Sequence, residues 1–314
     1  STILSLVEYY ETEGDKTLLP EAYYYAGSIY RDLYDAPLAL EYYQKALDKT
    51  DKKNIKKKSS ICNHIGRLFL NQNLYDNSID MFLISYKYDN ELHDTINIIY
   101  SLRDLAFTYN KAGKKSNSID CYQKAYKLSR DINNEQMGMM VLAQMASFHI
   151  EQGDYSEAKK CLKPSLDTLD SINISPNYAM ALKICMNTQQ YDSAHFYATE
   201  LLKIGTIYAK QTASRCLTEL ALRENSYDNV AKYLKLFNEY TDSVKTITAT
   251  ESVNRMNSLY NYNLREKENL ILKEENTNKK MALTITISTT ITIFVILITY
   301  IYRNRQKQKL QLGI

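Results

Sequence analysis

The sequence predicts an all-α fold, a solenoid of about six stacked helix pairs, and three observations carry that expectation. A fixed spacing of small and large residues recurs along the chain. Helix breakers are scarce, with eight glycines and four prolines among 314 residues. The recurrence advances by about forty residues, room for two helices and their turns. A solenoid grows by stacking and needs no single central core. A non-repetitive helical bundle has no reason to hold one spacing through successive helix pairs.

The unit is visible in "AYYYAGSIYRDLYDAPLALEYYQKAL", residues 22–47, where Gly27, Tyr30, Ala39, Tyr43 and Ala46 stand at steps of three, nine, four and three. Gly66, Phe69, Ser78, Phe82 and Ser85 repeat those steps. So do Ala106, Tyr109, Ser118, Tyr122 and Ala125, and then Ala146, His149, Ala158, Leu162 and Ser165. Two weaker copies follow, at Leu182, Cys185, Ala194, Ala198, Leu201 and at Thr218, Ala221, Val230, Leu234, Phe237. Small residues let two helix backbones approach, and the rings fill the space between them. From Gly27 the anchors advance by 39, 40, 40, 36 and 36 residues. Because the internal steps are constant, the surplus is expected after the second helix has begun, as longer second helices or longer loops.

This order of small, aromatic, small, aromatic, small resembles the tetratricopeptide repeat, whose common period is about 34 residues. The resemblance implies a right-handed superhelix over residues 20–244, after a partial N-terminal helix at 1–19. It also implies that first helices line a groove for an extended peptide or a partner helix. Carried onto this chain, the groove residues are Tyr24, Ser28 and Arg31, then Asn63, Arg67 and Asn71, then Arg103, Phe107 and Asn110. The lysine–asparagine clamp of some family members is not reproduced. Arg67 and Arg103 are the strongest anchors for carboxylates, and both are expected to face solvent.

Proline marks the helix starts. Pro20 and Pro176 open first helices and Pro37 a second helix, where a fixed φ and a missing N–H do no harm. Pro164 falls inside a second helix and should kink or end it. "STILSLVEYYETEGD" carries Ile3, Leu4, Leu6, Val7 and Tyr10 on a helical period before Gly14. The chain opens inside a helix and is expected to lack at least one upstream helix.

Beyond residue 244 the repeat stops. Residues 245–280 read as a connecting helix, with Val253, Met256 and Tyr260 at seam spacing and Asn263 and Lys267 breaking it, so a dimerising coiled coil stays open. "MALTITISTTITIFVILITYIY", residues 281–302, has 22 residues without a charge, bracketed by Lys279–Lys280 and Arg303. A helix of that length spans roughly 33 Å, the thickness of a bilayer core. Flanking lysines and arginines are four on each side, so the positive-inside rule does not orient the span. The array, the polar helix, the span and the basic tail 303–314 together resemble bacterial membrane-anchored tetratricopeptide sensors. That resemblance implies an extracytoplasmic array and a cytoplasmic tail. The sensors continue into a cytosolic output domain, and this chain stops at Ile314. The alternatives are a tail-anchored cytoplasmic adaptor and the remnant of a tetratricopeptide transcriptional regulator.

Catalysis finds no support. There is no phosphate-cradling glycine loop, HExxH motif or nucleophile elbow, and His64, His93, His149 and His195 lie in separate repeats. No cofactor or metal is expected. His149 stands where other repeats place Tyr or Phe, so a packed ring is expected. Cys62, Cys121, Cys161, Cys185 and Cys216 are odd in number and form no CxxC, as buried small hydrophobes would be. "KTDKKNIKKKSS" reads as a solvated loop. With no aromatics interleaved there, and a formal net charge of +3, the sequence weighs against nucleic acid as a partner. The expected partners are a protein or peptide in the groove and lipid around 281–302.

Overall fold

The computed structural model describes residues 2–168 and 174–311. Among them every regular element is helical. A short α1 (Thr2–Thr12) and a single 3₁₀ turn (Lys16–Leu18) precede the repeats. The pairs are α2 (Leu19–Asp32) with α3 (Ala36–Lys49), α4 (Ile55–Asn71) with α5 (Tyr75–Glu91), and α6 (Thr95–Lys111) with α7 (Lys115–Asp131). They continue as α8 (Glu135–Gln152) with α9 (Tyr155–Asp167), α10 (Ile174–Asn187) with α11 (Tyr191–Ile204), and α12 (Ile207–Arg223) with the start of α13 (Tyr227–Gln311). From α1 to α12 each helix packs on its sequence neighbours, and α8 also touches α6 and α10. Such short-range contacts are those of a solenoid.

The recurring residues form the seam. Tyr43, Phe82, Tyr122 and Leu162 are fully buried between the helices of their pairs, beside Ala46, Ser85 and Ala125. The hydroxyl of Ser78 donates to the Gly66 carbonyl at 2.8 Å, and that of Ser118 to the Ala106 carbonyl at 2.7 Å. The small residue at the start of each second helix thus lets the pair close. Glycine is required in the first two pairs, where the facing ring lies closest. A Cβ on Gly27 would lie 2.7 Å from the Tyr43 ring, and one on Gly66 2.8 Å from the Phe82 ring.

The surplus residues lie only partly where expected, in the second helices and equally in the first. In the second and third pairs all four helices have 17 residues, against 14 in α2 and α3. The turns that join α4 to α8 have three residues each, so in these two pairs the loops do not lengthen and each helix takes half of the surplus. Each three-residue turn bends in the same way. Its middle residue is left-handed, as at Asn73 (φ 60°), His93 (φ 53°) and Asn133 (φ 52°). The next N–H closes back on the helix, Asp94 onto the Asp89 carbonyl at 3.1 Å and Asn134 onto that of Ser129 at 2.9 Å. Asp35, Asp94, Asn134 and Asp154 then cap the following helix by accepting from its third N–H.

Three other expectations meet the structure here. α9 runs through Pro164 and ends at Asp167, one turn later. The lysine run is only partly a loop, because Asn54 caps α4 and places Lys56, Lys57 and Lys58 in its first turn. That register turns Lys57 onto the preceding pair, where its side chain is 16% exposed, pairs with Glu21 and lies 4.0 Å over the Tyr24 ring. In the sixth copy Leu234 is 44% exposed, whereas its counterparts are buried. Among the described residues no further first helix covers that face of α13.

The residues from Tyr260 onward form a compact unit of their own. Within it the stretch Leu270–Arg305 is long and apolar enough to cross a membrane. Its threonine hydroxyls bond back to their own helix, Thr284 to the Lys280 carbonyl, Thr292 to that of Ser288 and Thr299 to that of Val295. On the seam of the connecting helix Met256 and Tyr260 are exposed, and the side chains of Val253 and Asn263 lie outside the described residues.

Candidate peptide groove

The first helices α2, α4, α6 and α8 carry a polar ladder that joins each repeat to the next. Its first rung is His64 on α4. Its Nε2 lies 2.8 Å from the Tyr24 hydroxyl, and its Nδ1 3.1 Å from Nη1 of Arg31. A guanidinium only donates, so Nδ1 accepts, the proton sits on Nε2, and Nε2 donates to Tyr24. The ring stacks on Tyr43 at 5.6 Å. Burial first, and then the charges of Arg31, Arg67 and Lys57, lower its pKa from 6.5 to about 4. His64 is a neutral wedge between two repeats. Ser28 completes this corner, bonding the Tyr24 carbonyl and the Tyr43 hydroxyl, each at 3.1 Å.

Asp104 on α6 makes the second rung. It accepts from Nη2 of Arg67 at 2.9 Å and from Asn63 at 3.3 Å, and its other oxygen accepts from Arg103 at 2.9 Å. Arg67 is exposed, as expected. Arg103 is not. Its side chain is 14% exposed, lies 5.0 Å over the Tyr100 ring and donates to the sulfur of Met140 at 3.1 Å. The two arginines occupy different registers, Arg67 one residue after its repeat's anchor and Arg103 three before, so one points outward and the other lies across the helix face.

On the third rung Asn110 donates to Glu151 of α8 at 2.6 Å, and Lys111 to its other oxygen at 3.1 Å. Phe107 is exposed beneath Lys111, and Asn71 is exposed beyond the second rung. The nine residues expected to line a groove all lie on first helices, and the structure joins seven of them into contacts with the next repeat or its own seam. Their partners His64, Asp104 and Glu151 went unrecognised, although His64, Asp104 and Gln144 share one register at intervals of 40.

Two cavities open along this face. One, of about 350 Å³, lies between α4 and α6 and is rimmed by Lys56, Arg67 and Arg103. Its floor is Asp89 of α5, 2% exposed, which accepts from Ser59 of α4 at 2.5 Å and Ser101 of α6 at 2.6 Å. The other, of about 620 Å³, lies between α6, α8 and α10 and is lined by Met137, Met139, Met140 and Met180 with Gln144 in its wall. Tyr100 borders both. The five cysteines are free, four of them buried, and burial raises every thiol pKa, that of Cys62 to about 11. Among the described residues no cluster of His, Cys, Asp or Glu could hold a metal ion.

Comparison with known proteins places the fold. Residues 104–132 match the tetratricopeptide repeat model. Curated proteins include no match to the sequence. A signal-transduction ATPase with a tetratricopeptide repeat sensor from Pyrococcus horikoshii aligns with TM-score 0.66 and 15% identity, over 80% of this chain and 41% of that one. The apo form of RapI aligns with TM-score 0.59 and 10% identity, over 78% of this chain and 90% of that one. NprR in complex with its cognate peptide NprX aligns with TM-score 0.54 and 14% identity, over 81% of this chain and 78% of that one. With the repeated seam and the shared turn, these findings give the chain a tetratricopeptide-type helical solenoid fold, with a match to the tetratricopeptide repeat at residues 104–132.

Proposed function

We propose that this chain is a membrane-anchored tetratricopeptide scaffold or sensor that captures a peptide or protein along its first helices. The observation that carries the reading is the pair of cavities sharing Tyr100, one basic at its rim and one lined by methionine, on the face where repeat helices present side chains outward. NprR, which has a similar fold, binds a peptide, and that supports a peptide as occupant here. Binding rather than catalysis is the reading, with Asp89, held by Ser59 and Ser101, serving as a polar floor between two repeats. Residues 281–302 supply the anchor and 245–280 the connection to it, with a homodimer through the connecting helix as a further part of the proposal. An extracytoplasmic array is the working orientation. The unpaired thiols favour the opposite one, a cytoplasmic adaptor.

Two experiments test this. Reporter fusions at each end report sidedness directly. Deleting 281–314 is expected to move the protein from the membrane fraction to the soluble one with its helical signal and cooperative melting intact, because the repeats bury their own faces. A truncated chain that stays with membranes, or that unfolds, sinks the division into array and anchor.

A further inference from the structure

The ladder of first helices gives way between α8 and α10. His64 and Asp104 stand two residues before their anchors Gly66 and Ala106, and each is met by side chains of the preceding repeat. Gln144 on α8 holds the same register, but Phe107 has nothing to donate and Arg103 is turned to Asp104 and Met140. Oε1 of Gln144 is sealed without a partner and belongs to the wall, not to a binding surface. On α10 the register holds Met180. Facing it, Ala143 and Ser147 of α8 replace the longer Asn63 and Arg67 of the second repeat. Among the described residues no side-chain hydrogen bond joins α8 to α10, and the cavity of about 620 Å³ opens there. Its described lining carries no charged side chain. One polar group is left over in it. Asn177 is 5% exposed, in the register of Ile61, Ser101 and Val141, which are all buried. Ser101 bonds Asp89, whereas among the described residues nothing bonds the Asn177 amide. The sealed atoms without partners lie on Gln72, Gln144 and Thr199, so this amide opens onto the cavity that it lines. A mostly buried amide without a partner is costly, and native proteins keep few of them.

On the reading that the groove takes a peptide, we infer that this cavity receives one uncharged aromatic side chain of that peptide, its ring against Met139, Met140 and Met180 and its flanking backbone on the Asn177 amide. Ligand pockets span roughly 300–1,000 Å³, so the cavity has room for a ring together with the backbone beside it. Methionine adapts to a ring, and its sulfur attracts aromatic edges. Two of the sulfurs are already positioned, that of Met140 by Arg103 at 3.1 Å and that of Met139 by Thr168 at 3.4 Å. Tyr100 is exposed at the margin and offers a further ring for an edge-to-face contact. The neutral lining disfavours a charged side chain, which would lose its water for no counter-charge. An Asn amide both donates and accepts, as does the backbone of an extended peptide.

The test uses the full chain in detergent and a positional library of immobilised octapeptides. Wild type is expected to select Trp, Phe or Tyr at one position. The chain has no tryptophan, so the emission of a selected Trp peptide reports the ligand alone and is expected to shift to the blue on binding. Ala143→Arg places in the cavity the residue that the third repeat carries in this register. It is expected to weaken aromatic peptides about tenfold or more with the melting temperature unchanged. Asn177→Val, which copies Val141, is expected to weaken Trp and Phe peptides by one common factor, since a backbone contact is blind to side chains. Peptides selected without an aromatic residue, or aromatic peptides whose affinity neither variant moves, overturn this inference and leave the peptide reading standing. N-acetyltryptophanamide bound as tightly as the octapeptide overturns it as well, making the occupant a small aromatic molecule. No selection from the library overturns both.

Discussion

Nη2 of Arg67 on α4 lies 2.9 Å from Oδ2 of Asp104 on α6, joining two repeats across the face that the first helices share. The two ends of this pair sit in different surroundings. The Arg67 side chain is 48% exposed and that of Asp104 12%. An ion pair with one end in water contributes little, typically under about 1 kcal/mol. Arg103, on the other oxygen of Asp104, is packed among Tyr100 and Met140. Arg67→Ala is therefore expected to leave the melting temperature almost unchanged. Arg103→Ala is expected to cost roughly 1–3 kcal/mol through lost packing and the loss of the donor to one oxygen of a mostly buried carboxylate. Thermal melts of the two variants decide it, and equal shifts contradict the asymmetry.

Gly66 tests the seam. A methyl group there meets the Phe82 ring, which is fully buried and has no room to yield. Gly66→Ala is expected to destabilise by roughly 1–3 kcal/mol, although Ala is ordinarily the better helix former by about 1 kcal/mol. Adding Phe82→Leu should recover part of the loss. A stabilised Gly66→Ala in urea denaturation would mean that the helices of this pair are less closely apposed than described.

His64 gives a pH dependence of known sign. Its pKa is lowered from 6.5 to about 4 in the folded protein, so between those values the unfolded chain binds a proton that the native one does not. The stability it contributes is present above about pH 6.5 and is lost as pH falls toward 4, by up to about 3 kcal/mol. His64→Gln keeps a donor and an acceptor but cannot titrate. Denaturation midpoints of this variant should fall less steeply across that window than those of wild type. Parallel slopes would place the ring in water.

Gln144→Met should raise the melting temperature of the unliganded chain. It exchanges a buried acceptor that lacks a partner for a side chain of similar length that matches the methionine wall. The gain is about 1–2 kcal/mol, or a few degrees for a domain of this size. A lowered melting temperature would show that Oε1 has a partner in solution.

Local spacing made much of this molecule legible. Steps of three, nine, four and three require Gly27 to meet Tyr43 and Gly66 to meet Phe82, since only a fixed pair of helices brings those positions together. The 22 uncharged residues at 281–302 are as direct, because helix length and side-chain polarity suffice to recognise a stretch able to cross a membrane. The first-helix positions that the seam leaves over were within reach too, because the same spacing defines them.

Tertiary structure decided what those positions do. Arg67 and Arg103 look alike in sequence, yet a difference of register by about one helical turn leaves one exposed and lays the other across Tyr100. Lys57 reads as one of six lysines in a charged run, but the Asn54 cap starts α4 before it and turns it onto Tyr24. Gln144 is unremarkable until its neighbours in the preceding repeat are known. Spacing along one helix determines which face a residue occupies. What stands opposite depends on the rotation and rise from one repeat to the next, which no single repeat encodes.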